Sequence, residues 1–212
     1  MDRALVVLAV ACPERGWDEL CALPVGERNR LLLLVRAAAF GPRLDIVTAC
    51  PACGEQLEFE VELPVATFAP VSSRERRVEV GEGTIRLRLP DSRDLASVAQ
   101  VAPTEAERQL VERCVIEHPG LPTADLALRL SEVVEEHDPL AAIAFPVRCE
   151  ECGKPWRAML DPIDYLWHEL EQRVKAAIRE VHLLARTYGW TEGEILRLSP
   201  ARRRLYLEQV TA

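Results

Sequence analysis

Two cysteine turns of the same design, Cys50-Pro51-Ala52-Cys53-Gly54 and Cys149-Glu150-Glu151-Cys152-Gly153, limit what this chain can fold into. Each places two thiols three positions apart, puts directly after them a glycine free to turn the backbone left-handed, and carries an apolar residue, Leu57 or Trp156, four positions after the second cysteine. Four thiolates at about 2.3 Å close a tetrahedral shell around one zinc ion and leave no position for water or substrate. The pairs are separated by the 95 residues from 54 to 148, far more than the roughly 15–20 of a compact ribbon. One ion can take all four only if the two turns meet in space and everything between them is an insertion. The total of seven cysteines is odd, and with four of them in tight pairs it reads as metal ligation rather than a disulfide framework. Two reduced, unmetallated pairs are the bland alternative. A redox role is disfavoured, because neither pair opens a predicted helix whose N-terminus would stabilise a thiolate.

The hydrophobic period places these turns between short strands. Leu44, Ile46 and Thr48 lead into the first turn; beyond it Leu57, Phe59, Val61 and Leu63 alternate with Glu58, Glu60 and Glu62, a half-buried strand with an acidic outer face. Residues 144–147 enter the second turn and Trp156, Ala158 and Leu160 leave it. Zinc is thus expected to clamp the strand 57–63 to the strand 156–160. Between the turns, 77–80 and 84–89 form a hairpin around Gly81-Glu82-Gly83, with Arg86 and Arg88 outward and available to glutamates across the strands. From 90 to 143 the period is helical, with Thr104 and Glu107 as a capping box and Cys114 on the apolar face with Leu110 and Val111.

Helices flank this region. Residues 4–12 form an apolar helix, 13–23 a connector, and 25–40 a Leu- and Ala-rich helix stopped by Gly41-Pro42. Asp161-Pro162 caps the longest helix, which runs to Tyr188 and Gly189. Along it Ile163, Trp167, Leu170, Val174, Ala177, Val181, Leu184 and Tyr188 form a seam that needs another helix against it. Trp190, Thr191, Glu194 and Ile195 then spell a capping box with a hydrophobic staple, and Ser199-Pro200 starts a last helix to Val210. The expected fold class is α+β: an N-terminal helical region (1–43), a split zinc ribbon of antiparallel strands (44–160) with a helical insertion at about 90–143, and a long helix with a C-terminal helical pair (161–212).

Little in the chain points to catalysis. Glycine-rich phosphate loops, nucleophile elbows and His-Glu-x-x-His motifs are missing from the sequence. Cys114 and His118 fall four apart on a predicted helix, which formally allows a nucleophile and base, but a packed cysteine and a helix-end histidine explain them as well. His137, before Asp138-Pro139, has the same helix-end look. His168 and His182 are about 21 Å apart along the long helix, too far to share a metal. With 26 Lys and Arg against 34 Asp and Glu the net charge is −8, so phosphate backbones repel the chain as a whole. Nucleic acid is therefore a disfavoured partner despite Arg197 and the run Arg202-Arg203-Arg204. The run 4–12 is too short for a bilayer, so no membrane is expected and the cytoplasm is the default location.

Several segments together carry a resemblance: Leu23-Pro24-Val25-Gly26-Glu27-Arg28, Phe40-Gly41-Pro42-Arg43, the two cysteine turns, Leu89-Pro90-Asp91-Ser92-Arg93-Asp94-Leu95, and the tail from Tyr188-Gly189-Trp190 through Glu194-Ile195 to Pro200-Ala201-Arg202-Arg203. From about Leu23 to its end the chain resembles the T-even-type phage baseplate hub assembly chaperone family, whose bacterial members accompany contractile tails and contractile injection systems. The resemblance implies a non-enzymatic structural or assembly protein of a baseplate in the bacterial cytoplasm or an assembled particle. Its partners would be hub, spike or other tail proteins, with no small-molecule substrate. It carries a single structural zinc over onto Cys50, Cys53, Cys149 and Cys152. The dense C-terminal signal makes Trp190, Ile195, Leu198, Arg202 and Tyr206 candidate partner contacts; the alternative is that Trp190 and Ile195 only staple their turn. A zinc-ribbon nucleic-acid regulator and a redox sensor remain as readings of other classes, and a native start upstream of Met1 stays open.

Overall fold

The computed structural model describes residues 2–71, 73–81 and 83–211; Glu82 of the expected hairpin turn lies outside them. The chain is mixed α and β, with small antiparallel sheets among many helices, and divides into two compact units, residues 1–163 and 164–212.

The first unit opens with α1 (Arg3–Ala11), capped by the Asp2 carboxylate, which accepts from the Ala4 N–H at 2.9 Å. The expected connector contains a short helix, α2 (Trp17–Cys21), with Leu20 and Cys21 buried. Next comes α3 (Val25–Phe40). Its end is held by buried Arg36, whose guanidinium donates to the Gly41 carbonyl at 2.7 Å and to that of Arg43. The first cysteine turn joins β1 (Arg43–Ala49) to β2 (Gln56–Glu62); the second joins β6 (Ile143–Arg148) to β7 (Pro155–Leu160). Each is a separate two-stranded antiparallel hairpin, and among the described residues no ladder joins β2 to β7. It is Phe145 of β6 that meets β2, edge-on to Phe59 with ring centroids 5.9 Å apart. The expected strand-to-strand clamp is corrected accordingly: the cysteine turns bring two hairpins together, with β6 rather than β7 facing β2.

Between the hairpins stands a third module. Strands β3 (Glu75–Val80), β4 (Gly83–Arg88) and β5 (Val115–Glu117) form one antiparallel sheet in the order β3-β4-β5. Helices α4 (Ser92–Val98), α5 (Pro103–Cys114) and α6 (Thr123–His137) accompany it. Ile85, Leu87 and Leu89, all fully buried, pack with Val111, Cys114, Leu126, Leu130 and Val133 into one apolar core. Burying a side chain such as Leu87 stabilises by about 1.5–3 kcal/mol, so this cluster alone carries much of the module.

Three local expectations change here. Pro103, with its fixed φ, starts α5 at that residue, so Thr104 is already inside the first turn and makes no capping box; the capping box belongs to Asp91 and Asp94 at α4. The β-branched Val115 and Ile116 leave the helix to become β5, so Cys114 and His118 do not share a helix. Arg88 does not point outward: its guanidinium reaches the fully buried Asp94 carboxylate. Arg86 does find its cross-strand partner, Glu117 of β5, at 2.9 Å.

The second unit holds most of α7 (Pro162–Tyr188), then α8 (Glu192–Arg197) and α9 (Pro200–Thr211). The Thr191–Glu194 capping box is formed in both directions. Tyr188, Trp190 and Tyr206 make an aromatic trio, with the first pair stacked at 4.8 Å and both edge-on to Tyr206. Glu180 of α7 takes Arg203 of α9 at 2.8 Å, and Leu184 and Ile195 are fully buried. The middle of the expected seam, Leu170, Val174 and Ala177, lines a cleft facing Leu207 of α9 and stays partly open, with Val174 56% exposed. Among the described residues no helix is long and apolar enough to cross a membrane.

Candidate metal centre

The two cysteine turns repeat one backbone pattern. The Cys50 N–H donates to the Glu55 carbonyl at 2.8 Å and the Gly54 N–H returns to the Cys50 carbonyl at 2.9 Å. In the second turn Cys149 and Lys154, then Gly153 and Cys149, make the same bonds at 3.0 Å. Gly54 and Gly153 sit at φ of 78° and 71°, a region that side chains with a Cβ rarely adopt and that closes each turn around its thiols. The Ala52 N–H also points at the Cys50 sulfur, 3.5 Å away.

All four sulfurs lie within 4.8 Å of one another. Cys50 Sγ is 3.6 Å from Cys152 Sγ, and Cys53 Sγ is 3.5 Å from Cys149 Sγ. The close contacts therefore run between the turns, crosswise. These distances are too long for disulfides, which bring sulfurs to about 2.05 Å, and close to the roughly 3.8 Å separating the corners of a tetrahedral thiolate site. One thiol of each pair, Cys50 and Cys149, is buried and the other exposed. Electrostatics already favours ionisation at Cys50: burial opposes it, but the Ala52 and Cys53 amides and the neighbouring thiols bring it down to about 6. For Cys53 the Glu55 amide favours the thiolate, yet Cys149, burial, Cys152 and Cys50 together push it up to about 12. The set as a whole could hold one metal ion.

The other thiols are of a different kind. Cys114 is fully buried; burial and the nearby Asp94 carboxylate push it up to about 12, so it stays protonated and inert. Asp94 is the centre of a charge cluster that sequence reading missed. Its oxygens accept from Arg88 at 2.8 Å, from Arg113 at 2.8 Å and from the Asp91 N–H at 2.9 Å. Burial resists ionisation there, but these donors hold the carboxyl well below the usual carboxylate range, and Asp94 in turn raises Arg88.

Segments 23–28 and 89–95 of the first unit meet around a second polar knot. The Val25 N–H donates to the Pro90 carbonyl at 3.0 Å, and Asn29 donates to the Leu140 carbonyl at 2.9 Å. Asp91 caps α4 and takes Arg74 at 2.7 Å. Asp138, 1% exposed, accepts from the Gly26 N–H at 2.9 Å across 112 residues of chain. Segments 23–28 and 89–95 are thus one joint, built for holding α3.

Of the candidate contact residues, Ile195 belongs to the interior of the second unit, while Trp190 and Tyr206 are engaged with each other and with Tyr188. Leu198 is half-buried and Arg202 is exposed. Arg203, from the middle of the basic run, is occupied by Glu180.

A family model described as T4 bacteriophage base plate protein matches residues 2–119, more than half of the chain. The chain belongs to that family. No curated protein and no solved structure matches it. The baseplate family match covers the first cysteine pair, the Asp94 cluster and both halves of the 23–28/89–95 joint. It ends before the second pair and the long helix, whereas the sequence resemblance extends to the end of the chain. A phage baseplate family implies contact with other baseplate or tail proteins.

Proposed function

We propose that this protein is a non-enzymatic structural or assembly component of the baseplate of a contractile tail or contractile injection system, braced by one structural zinc ion on Cys50, Cys53, Cys149 and Cys152. The observation that carries the reading is the crosswise meeting of four sulfurs from turns 95 residues apart, in a chain of the baseplate family. An all-thiolate tetrahedral set suits zinc, and a closed shell has no place for substrate. Zinc would fix the two hairpins to each other and so hold the inserted module between them. The chaperone role, delivering a hub or spike protein and then leaving, is the finer form of this reading. The second unit is its proposed contact region, with Arg202 exposed, Trp190, Leu198 and Tyr206 part-exposed beside it, and buried Ile195 supporting them from inside.

A tagged copy expressed in the native host tests this by quantitative mass spectrometry of purified particles and soluble lysate. Stoichiometric recovery in particles supports a structural component; recovery only with a hub or spike protein in the lysate supports a chaperone. Recovery with neither contradicts the proposal. Charge reversal by Arg202→Glu is expected to reduce partner recovery without lowering the melting temperature.

A further inference from the structure

Beside the cysteine turns the two hairpins leave a cleft of about 570 Å³ between β2 and β6. Its apolar lining is Leu57, Phe59 and Val61 from one strand and Phe145 and Val147 from the other, all half-buried rather than covered. Both strands are edges: β2 pairs only with β1 and β6 only with β7 among the described residues. β2 therefore presents alternate backbone N–H and C=O groups that no neighbouring strand takes, whereas Pro146, which has no N–H, leaves the middle of the β6 edge without a donor. The cleft also carries Glu55, Glu58, Glu150 and Glu151, all exposed. None of these four carboxylates has a side-chain partner among the described residues, and the single cation of the lining, Arg148, is turned to the Gly153 carbonyl at 2.9 Å.

We infer that this cleft is a strand-addition site for an extended segment of another protein in which basic and apolar residues alternate. The free edge of β2 supplies main-chain hydrogen bonds, the apolar floor receives every second side chain, and Glu58 on the strand with Glu55, Glu150 and Glu151 at the turn end of the cleft selects Lys or Arg between them. Acidic side chains beside a strand edge also act as a guard against indiscriminate pairing, because they repel acidic strands and lose hydration against neutral ones. The four glutamates do both: they exclude most strands and admit a basic one. This deepens the baseplate reading by giving the partner a chemistry, and rests on it only for placing that partner among tail proteins.

The test uses the full, metal-loaded chain and a fluorescein-labelled short peptide of alternating Lys and Val, followed by fluorescence polarisation. Three controls accompany it: the same peptide with Glu for Lys, the same peptide N-methylated at alternate residues, and the double variant Glu58→Lys/Glu151→Lys. These two glutamates are on the surface, and an unchanged circular dichroism spectrum and melting temperature confirm that the variant folds. The expected result is saturable binding of the Lys-Val peptide, none of the Glu-Val peptide, loss with N-methylation, and at least roughly tenfold weaker binding by the variant. Equal binding to the variant would put the site elsewhere, and equal binding of the N-methylated peptide would reduce it to a charged patch; either overturns the inference. So does failure of the Lys-Val peptide to bind the folded chain, in which case the glutamates only guard the edges. Particle recovery reads baseplate membership independently, so the two claims can fail separately.

Discussion

Asp138 holds the start of α3 at an electrostatic cost, and replacing it with Asn isolates that cost. Its carboxyl is 1% exposed. Burial raises its pKa from the ordinary 3.8 to about 6, assisted by Glu27 and opposed by the Gly26 N–H and by Arg76. A shift of about two units corresponds to about 3 kcal/mol at 1.36 kcal/mol per unit. Because the folded pKa lies above the unfolded one, the native state binds the proton more tightly. Stability from this group is then fully present below about pH 4, falls as pH rises through 6, and is gone by about pH 8. Asn offers Gly26 an acceptor without a charge. The difference in unfolding free energy between Asp138→Asn and the parent should therefore climb by about 2–3 kcal/mol in favour of the variant between pH 4 and pH 8. Urea unfolding of both proteins across that range measures it, and metal-dependent effects common to both cancel. If the new amide N–H group lacks an acceptor, a constant penalty of about 1–3 kcal/mol is added at every pH, leaving the slope unchanged. A difference that stays flat with pH would refute the reasoning.

Three further outcomes follow from packing. At Gly26 a Cβ would lie 2.1 Å from Asp138 Oδ1 and 2.8 Å from the Ala141 nitrogen, so Gly26→Ala should separate α3 from residues 138–141 and cost at least about 2 kcal/mol in urea unfolding. Asp94→Ala removes the acceptor shared by Arg88 and Arg113; both partners keep access to water, so a loss of about 2–3 kcal/mol is expected rather than the larger cost of stranding a fully buried charge, measured the same way. Leu87→Ala in the fully buried core should cost about 2–5 kcal/mol by thermal unfolding while leaving metal content at the parental level.

What could be read from sequence was what repeats locally. The cysteine turns announce themselves because two thiols, a glycine and a flanking strand recur at fixed offsets. The alternation from Leu57 to Val61 and the cap at Asp161 give β2 and α7 nearly to the residue. The features that escaped are joined across the chain. Nothing near Asp138 in sequence indicates that Gly26 is its partner, and Asp94 reads as a solvated helix residue until Arg88 and Arg113 are folded onto it. Three residues, as in β5, are too few to show a period, and the strand exists because β4 has an edge for Val115 to join. For the candidate metal centre, the four cysteines are legible as a set and their geometry is not: adjacency of β2 to β6 rather than β7 depends on how two independent hairpins meet, which no local pattern records.

The claim on which the rest depends is that one zinc ion joins both cysteine turns. X-ray absorption at the zinc edge on the purified chain, with metal content by mass spectrometry on the same sample and on Cys50→Ser and Cys149→Ser, addresses it directly. One zinc per chain with four sulfur neighbours at about 2.3 Å, lost in either single variant, is the predicted result. A metal-free native chain, or metal retained by both variants, would contradict the account.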